Sequence, residues 1–285
     1  SRHSAFYVPL IVTIGGPFLE EEGLTATYNV KPSNRGSFDI LASGEVDIVQ
    51  AAVSSNWHRM EQGIANLPIH FAQINRRDGF WITSREPILF RWKHLEGRTF
   101  IVDHGPQPIA MLRYVLELQG VDWKAVKVID AGHPRELDAM FREGKADYVH
   151  QQGPAAQKLE NDGIGYVVAS VGAAMPPVAF SSLMASTRFL DTPSAQSFMK
   201  AYSKALVWID KASAGAIATT VSSYFSDIEM NVLVRTIADY KEIGCWSDNP
   251  AIQEAEYDQA LEVFLASGAI SKRHAFSSVV GHVPI

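Results

Sequence analysis

The chain has 285 residues, 47% of them apolar and 20% charged, and its 31 acidic against 25 basic side chains leave a formal net charge of −6. At about 150 residues per domain this is enough for two cores, and the ordinary apolar and charged fractions exclude disordered, collagen-like and coiled-coil chains. A mildly acidic surface without a Lys/Arg-rich run argues against nucleic acid as a partner, and the strongest apolar run, residues 5–14 with Pro9 inside it, is about half of the length a membrane-spanning helix needs.

Up to about residue 190 the sequence alternates helix-like stretches with short β-rich runs separated by Gly, Pro, Asn or Ser, the pattern of an α/β protein with mainly parallel sheets. Strands are predicted over residues 25–30, 46–51, 69–74, 80–83, 99–102, 126–129, 146–150, 166–170 and 178–185. Beyond Thr192 the pattern becomes helical. Asp191-Thr192-Pro193 supplies a cap and a first-turn proline, and Phe198, Ala201, Tyr202, Ala205, Leu206 and Ile209 then recur at helical spacing. Further helices are predicted over 213–225, 228–243 and 252–267, the last closed by Gly268.

An internal echo organises this pattern. LASGEVDIVQ at 41–50 and FREGKADYVH at 141–150 set Gly44, Asp47 and Val49 opposite Gly144, Asp147 and Val149, one hundred residues on. In both, a glycine able to take the left-handed conformation closes a helix and an aspartate opens a strand. Upstream, FLEEEGLTATYNV and VLELQGVDWKAVKVI again share a helix, a Gly and a β-rich run, so two copies of a β-α-β-α-β unit are expected. In the second copy strand 99–102 precedes the turn Asp103-His104-Gly105-Pro106, whereas the corresponding turn of the first, Arg2-His3-Ser4, stands at the chain start. A strand is therefore expected before Ser1, and a leader segment is neither shown nor excluded.

The runs RHSAFYVPL, GPFLEEEGL and SNRGSFDILASGEVDIV, followed by HLEGRTFIV, ELQGVDW, FREGKADYV and the helical tail, resemble the thiamine-pyrimidine-synthase-like branch of type II periplasmic substrate-binding proteins, which includes the alkanesulfonate, taurine and nitrate binding proteins of ABC importers. The resemblance implies a two-lobed α/β fold, each lobe a mainly parallel sheet flanked by helices, with a helical C-terminal tail. Lobe one would comprise residues 1–79 and 175–285 and lobe two 80–174, with crossovers near Arg76-Arg77-Asp78-Gly79 and 171–176 as the hinge. It implies a clamp closing on a small anionic or heteroaromatic N- or S-containing ligand: a sulfonate, nitrate, carboxylate or thiamine-pyrimidine-like molecule. It also implies no cofactor, an ABC permease as partner, a monomer, and a place in the periplasm or anchored by lipid outside the membrane. Without a leader before the missing strand the protein would be cytoplasmic.

In parallel α/β sheets ligands gather beyond the carboxyl ends of strands, where helix N-termini offer unpaired N–H groups. The candidate loops are Arg2-His3-Ser4, Asn34-Arg35-Gly36-Ser37, Ser54-Ser55-Asn56-Trp57, His104-Gly105-Pro106-Gln107, Gly132-His133-Pro134 and Gln151-Gln152-Gly153. From these come twelve candidate contacts. His3, His104 and His133 offer imidazole donors, against the simpler role of capped or solvated loop residues. Ser4, Gly36, Ser37, Ser54, Ser55, Gly105 and Gln152 offer small or hydrogen-bonding groups, although serines at helix starts also cap. Arg35 offers a guanidinium fork. Trp57 is the favoured cleft aromatic over Phe80, Trp81 and Trp246.

Scattered histidines without an HExxH give no metal site. The single cysteine, Cys245, excludes an intrachain disulfide and reads as a buried thiol rather than a nucleophile. Ser197-Phe198-Met199-Lys200 spells SxxK but lies on an amphipathic helix, and P-loop, GxGxxG and GxSxG motifs are absent. The rival is an enzyme on the same fold, in thiamine-pyrimidine biosynthesis or a decarboxylase or desulfinase, using His3 or His104 as acid or base. A cytosolic ligand sensor is a third class. The absence of a CCCFC run argues against the fungal pyrimidine-synthase chemistry.

Overall fold

The computed structural model describes residues 3–30, 35–132 and 134–281. The strands are β1 (Ile48–Ala51), β2 (Ile69–Asn75), β3 (Phe80–Ser84), β4 (Thr99–Val102), β5 (Lys127–Asp130), β6 (Tyr148–Gln152), β7 (Tyr166–Ser170) and β8 (Ser181–Ala185). The helices are α1 (Val8–Gly15), α2 (Phe18–Glu21), α3 (Ser37–Ala42), α4 (Ser54–Glu61), α5 (Pro106–Leu118), α6 (Pro134–Arg142), α7 (Ala155–Asn161) and α8 (Thr187–Leu190), followed by α9 (Pro193–Lys211), α10 (Ala214–Val221), α11 (Met230–Glu242) and α12 (Glu254–Ala266).

Two sheets carry the fold, a three-stranded one in the order β1-β8-β2 and a five-stranded one in the order β5-β4-β6-β3-β7. Strands β4, β5 and β6 run parallel, and β3 lies antiparallel between β6 and β7. Strand β8 lies antiparallel between β1 and β2 in the same way. Each sheet thus has one reversed strand, and it is the strand delivered by a crossover from the other sheet: β2 leads to β3, and β7 leads back to β8. The triplet β1-β8-β2 repeats β6-β3-β7.

The echo is structural. Helix α3 ends before Gly44 (φ 73°) and leads into β1, and α6 ends before Gly144 (φ 80°) and leads into β6. Asp147 Oδ2 accepts from the backbone N–H (2.9 Å) and hydroxyl (2.7 Å) of Thr99, tying β6 to β4. Residues 25–30 differ from expectation and form no ladder. Their β-rich composition finds no neighbouring edge, and all except the half-buried Tyr28 are exposed, so neither hydrogen bonding nor burial stabilises a strand.

The helical tail follows its predicted caps and faces. Thr192 accepts from Ala195 N–H with Pro193 in the first turn of α9, and Phe198, Ala201, Tyr202, Ala205, Leu206 and Ile209 are buried. Tyr202 donates to Gln73 O (2.6 Å), docking α9 on the three-stranded sheet. The largest core cluster includes residues of both sheets and the tail, among them Phe6, Phe100, Tyr202, Tyr240 and Tyr257.

The crossovers touch each other. Arg77 Nη1 donates to Gly172 O (3.2 Å) and Met175 O (2.7 Å), and Val178 N–H donates to Arg76 O (3.0 Å). A Cβ on Gly172 would fall 2.2 Å from Asp78 O, so this approach requires glycine.

Candidate functional site

Register decides which ends of the sheets can meet. Ala51 pairs with Ser182 and Asn75 with Ser181, so the carboxyl ends of β1 and β2 share an edge with the start of β8. Phe80 pairs with Gln152, so the carboxyl end of β6 shares an edge with the start of β3. Short crossovers force these two edges together. Hydrogen bonds then cross the junction, among them those in which Ser4 Oγ donates to Gly153 O (2.5 Å) and Gln107 Nε2 donates to Phe180 O (2.8 Å).

Tyr240, from α11, is the fixed point behind these loops. Its buried hydroxyl donates to Gly79 O (2.9 Å) in the first crossover and accepts from Gly153 N–H (2.9 Å) beyond β6. Burial raises its pKa well above the ordinary phenol value, which keeps it a neutral donor and acceptor. Phe6 packs edge-on against Phe180 (5.2 Å) and tilted against Tyr240 (5.3 Å), and Trp246 Nε1 donates to Phe6 O (3.0 Å). The aromatic lining of the junction is therefore Phe6, Phe180, Tyr240 and Trp246.

Polar groups are buried beside it. Asn75 Nδ2 donates to Phe6 O (2.6 Å) and to Cys245 Sγ (3.4 Å). Asp78 Oδ1 accepts from Phe80 N–H (2.6 Å), while Asp78 Oδ2 and Asn75 Oδ1 have no partner among the described residues. Burial, with a smaller push from Asp103, raises the Asp78 carboxyl to about 8 against the pull of the Phe80 N–H. Burial also pushes the Cys245 thiol far up, so it holds no thiolate at neutral pH.

The predicted contacts fall into three groups. Ser4, Gly105 and Gln152 are placed at the junction: Ser4 makes the crossing bond, Gly105 caps α5 two residues before Gln107, and Gln152 precedes Gly153. Ser54 and Ser55 open α4 beyond the carboxyl end of β1, with Ser55 Oγ donating to Ala52 O (2.7 Å). His104 is exposed, and its Nδ1 meets Asp130 Oδ2 at 2.8 Å; the Gly132 N–H and then His104 hold the Asp130 carboxyl below its usual range.

A second group is engaged elsewhere. Gly36 caps α3 and Ser37 begins it, while the Arg35 guanidinium forks onto Glu45 at 2.7 and 2.7 Å. That fork, with help from Ser43, lowers the Glu45 carboxyl to about 2. His3 is a structural tie rather than a cleft donor: Nδ1 pairs with Tyr28 Oη (2.9 Å), Nε2 with Tyr224 O (2.5 Å), and the ring stacks on Phe225 at 4.6 Å. His133 lies outside the described residues.

Trp57 corrects the sequence reading. It is fully buried, donates to Tyr257 Oη (2.8 Å) and packs edge-on against Tyr257 and Phe264 of α12, so it belongs to the core and lines no cleft. Phe80, stacked on His150 at 4.6 Å, and Trp81, tilted against Tyr240 at 6.1 Å, are buried as well. Gln107 and Gly153 stand in loops that the sequence singled out. Tyr240, Asn75 and Phe180 gave no signal, because their roles depend on which elements converge.

Comparison with known proteins places this geometry in a family. Residues 6–212 match the family model described as NMT1/THI5 like. YtlA of Bacillus subtilis (strain 168) is 29% identical over 283 residues, covering 98% of this chain and 85% of YtlA. The ligand-binding component of an ABC-type import system from Staphylococcus aureus superposes with a TM-score of 0.74 at 15% identity, over 98% of this chain and 94% of that one. The alkanesulfonate-binding protein SsuA from Xanthomonas axonopodis pv. citri does so at 0.72 and 16%, over 98% and 96%. The desulfurization enzyme DSZB shares the fold at 0.69 and 12%, over 98% and 94%. At such identities the structures establish the two-sheet α/β fold of the binding proteins, and the family match establishes membership: the chain belongs to the NMT1/THI5-like family.

Proposed function

We propose that this protein is the solute-binding component of an ABC importer, closing around a small anionic or heteroaromatic molecule containing nitrogen or sulfur. The observation that carries this reading is the pair of hydrogen bonds across the junction, Ser4 to Gly153 and Gln107 to Phe180, which brings loops from both sheets against one another. Such a junction is a cleft when the crossovers flex, and a ligand that contacts both sides shifts the population toward the closed form. The lobes are residues 1–79 with 175–285, and 80–174.

From the first lobe the contacts are Ser4, Ser54 and Ser55, and from the second His104, Gly105, Gln107 and Gln152. The likeness to an ABC-type import component and to SsuA supports the transport reading, a permease as partner and a place outside the inner membrane. No helix among the described residues is long and apolar enough to cross a membrane. The likeness to DSZB keeps an enzyme as the alternative, and the buried, protonated Cys245 argues against thiol chemistry in it.

A thermal-shift screen of the purified chain with alkanesulfonates, nitrate, aromatic carboxylates and pyrimidines tests the proposal. A ligand at about 100 times its Kd adds about 2.7 kcal/mol. One class is expected to shift the melt and to be recovered unchanged, as judged by mass spectrometry. Recovery of a chemically altered compound would establish the enzyme instead.

A further inference from the structure

The two sheets follow one plan, and they differ at one edge. In the five-stranded sheet β6 lies between β3 and β4 and is buried along its whole length. Its counterpart β1 pairs with β8; among the described residues no other element shares a backbone hydrogen bond with it, and Ile48 and Gln50 are partly exposed. The opposite edge of the same sheet is closed. His70 and Gln73 of β2, and Arg76 just beyond it, donate their N–H groups to Val279 O (3.0 Å), Pro250 O (2.7 Å) and Cys245 O (2.9 Å). Apolar packing repeats the difference. Ile101 of β4 joins Phe141 and Val149 in a cluster where all three are fully buried. The corresponding cluster holds Leu41 and Val49, one hundred residues earlier, at 8% and 9% exposure, and its buried members come from α3, β1 and β8 alone.

Residues 25–30 stand in the chain where β5 stands in the second copy. After α2 comes Gly23 (φ 72°), with Leu24 N–H donating to Leu19 O (2.8 Å); after α5 comes Gly120 (φ 69°), with Val121 N–H donating to Leu116 O (2.8 Å). The same helix-closing turn thus leads into β5, which pairs with β4, and into the exposed, unladdered 25–30. We propose that the outer edge of β1 seats a further strand, parallel to β1 and supplied by the stretch of this polypeptide ahead of Ser1, and that residues 25–30 pair with its far side. The first sheet then has the five-strand order of the second, and the edge groups of β1 gain partners. An apolar residue of the new strand covers Leu41 and Val49 as Ile101 covers Phe141 and Val149. Its carboxyl end leads into Ser4, whose hydroxyl donates to Gly153 O (2.5 Å), so the strand anchors one side of the interlobe junction as β4 anchors the loop of Gln107 on the other.

The coding sequence is the first check: a run of about four to six residues rich in β-branched and aromatic side chains is expected shortly ahead of Ser1. Amide hydrogen exchange then compares the 285-residue chain with the same chain extended by the about 15 residues encoded upstream. Peptides covering 46–53 and 24–30 are expected to exchange about tenfold or more slowly in the extended chain. Ala26 and Thr27 are exposed, and neighbouring N–H groups of a strand point to opposite sides. Of Ala26→Pro and Thr27→Pro, one is therefore expected to abolish the gain at 24–30 and the other to leave it, with neither altering the shorter chain. The proposal fails if no such run is encoded, or if exchange at 46–53 is the same in both chains. A gain at 46–53 alone, or one at 24–30 that survives both proline variants, overturns the pairing of residues 25–30.

Discussion

Single side chains hold the crossovers in place, and Tyr240 is the clearest case. Tyr240→Phe leaves Gly79 O and Gly153 N–H without the hydroxyl that serves both. The expected loss is about 1–3 kcal/mol, read from the urea midpoint at unchanged m-value. Asp78 adds a pH dependence. Its folded pKa of about 8 lies above the ordinary carboxyl value, so the folded state holds a proton that the unfolded state releases. This contribution is fully present below about pH 4 and declines, by up to about 1.4 kcal/mol per pH unit, until about pH 8. Asp78→Asn keeps an acceptor for Phe80 N–H and removes the slope, so its advantage over the native chain is expected to be larger at pH 8 than at pH 5. Parallel stability curves would refute the assignment. Residue roles were also the least legible in the sequence. On α4 only Asn56 and Trp57 are buried, so no apolar stripe distinguishes a core tryptophan from a cleft one.

At the scale of elements, the repeat was legible because its chemistry is local. A glycine that must take positive φ after a helix, followed by a short apolar run, leaves the same trace in both copies. A Cβ on Gly44 or Gly144 meets nothing within 4 Å, so Gly44→Ala and Gly144→Ala test backbone strain alone. Each is expected to cost about 1–2 kcal/mol, and the two to add, since they belong to different sheets. Denaturant titration of both single variants and the double variant checks this. The helical tail was equally readable, through Thr192-Pro193 at one end and Gly268 (φ 71°) at the other. Residues 25–30 were not, because a β-rich composition becomes a strand only beside an edge, and no sequence window reports whether one is near.

For the whole molecule, the sequence could place loops at strand ends, but the contact between the two sheets follows from register and the crossovers. The bonds from Arg77 to Gly172 and Met175 join the crossovers, so the parts on either side are expected to move as bodies about this point. The central claim is that the two lobes close on a solute they leave unchanged. Small-angle X-ray scattering on the full chain, without and with the solute that shifts the melt, tests it most directly. A smaller radius of gyration at saturation, with the solute recovered intact, is the predicted result; an unchanged radius of gyration at saturation, or a solute consumed during the measurement, would contradict it.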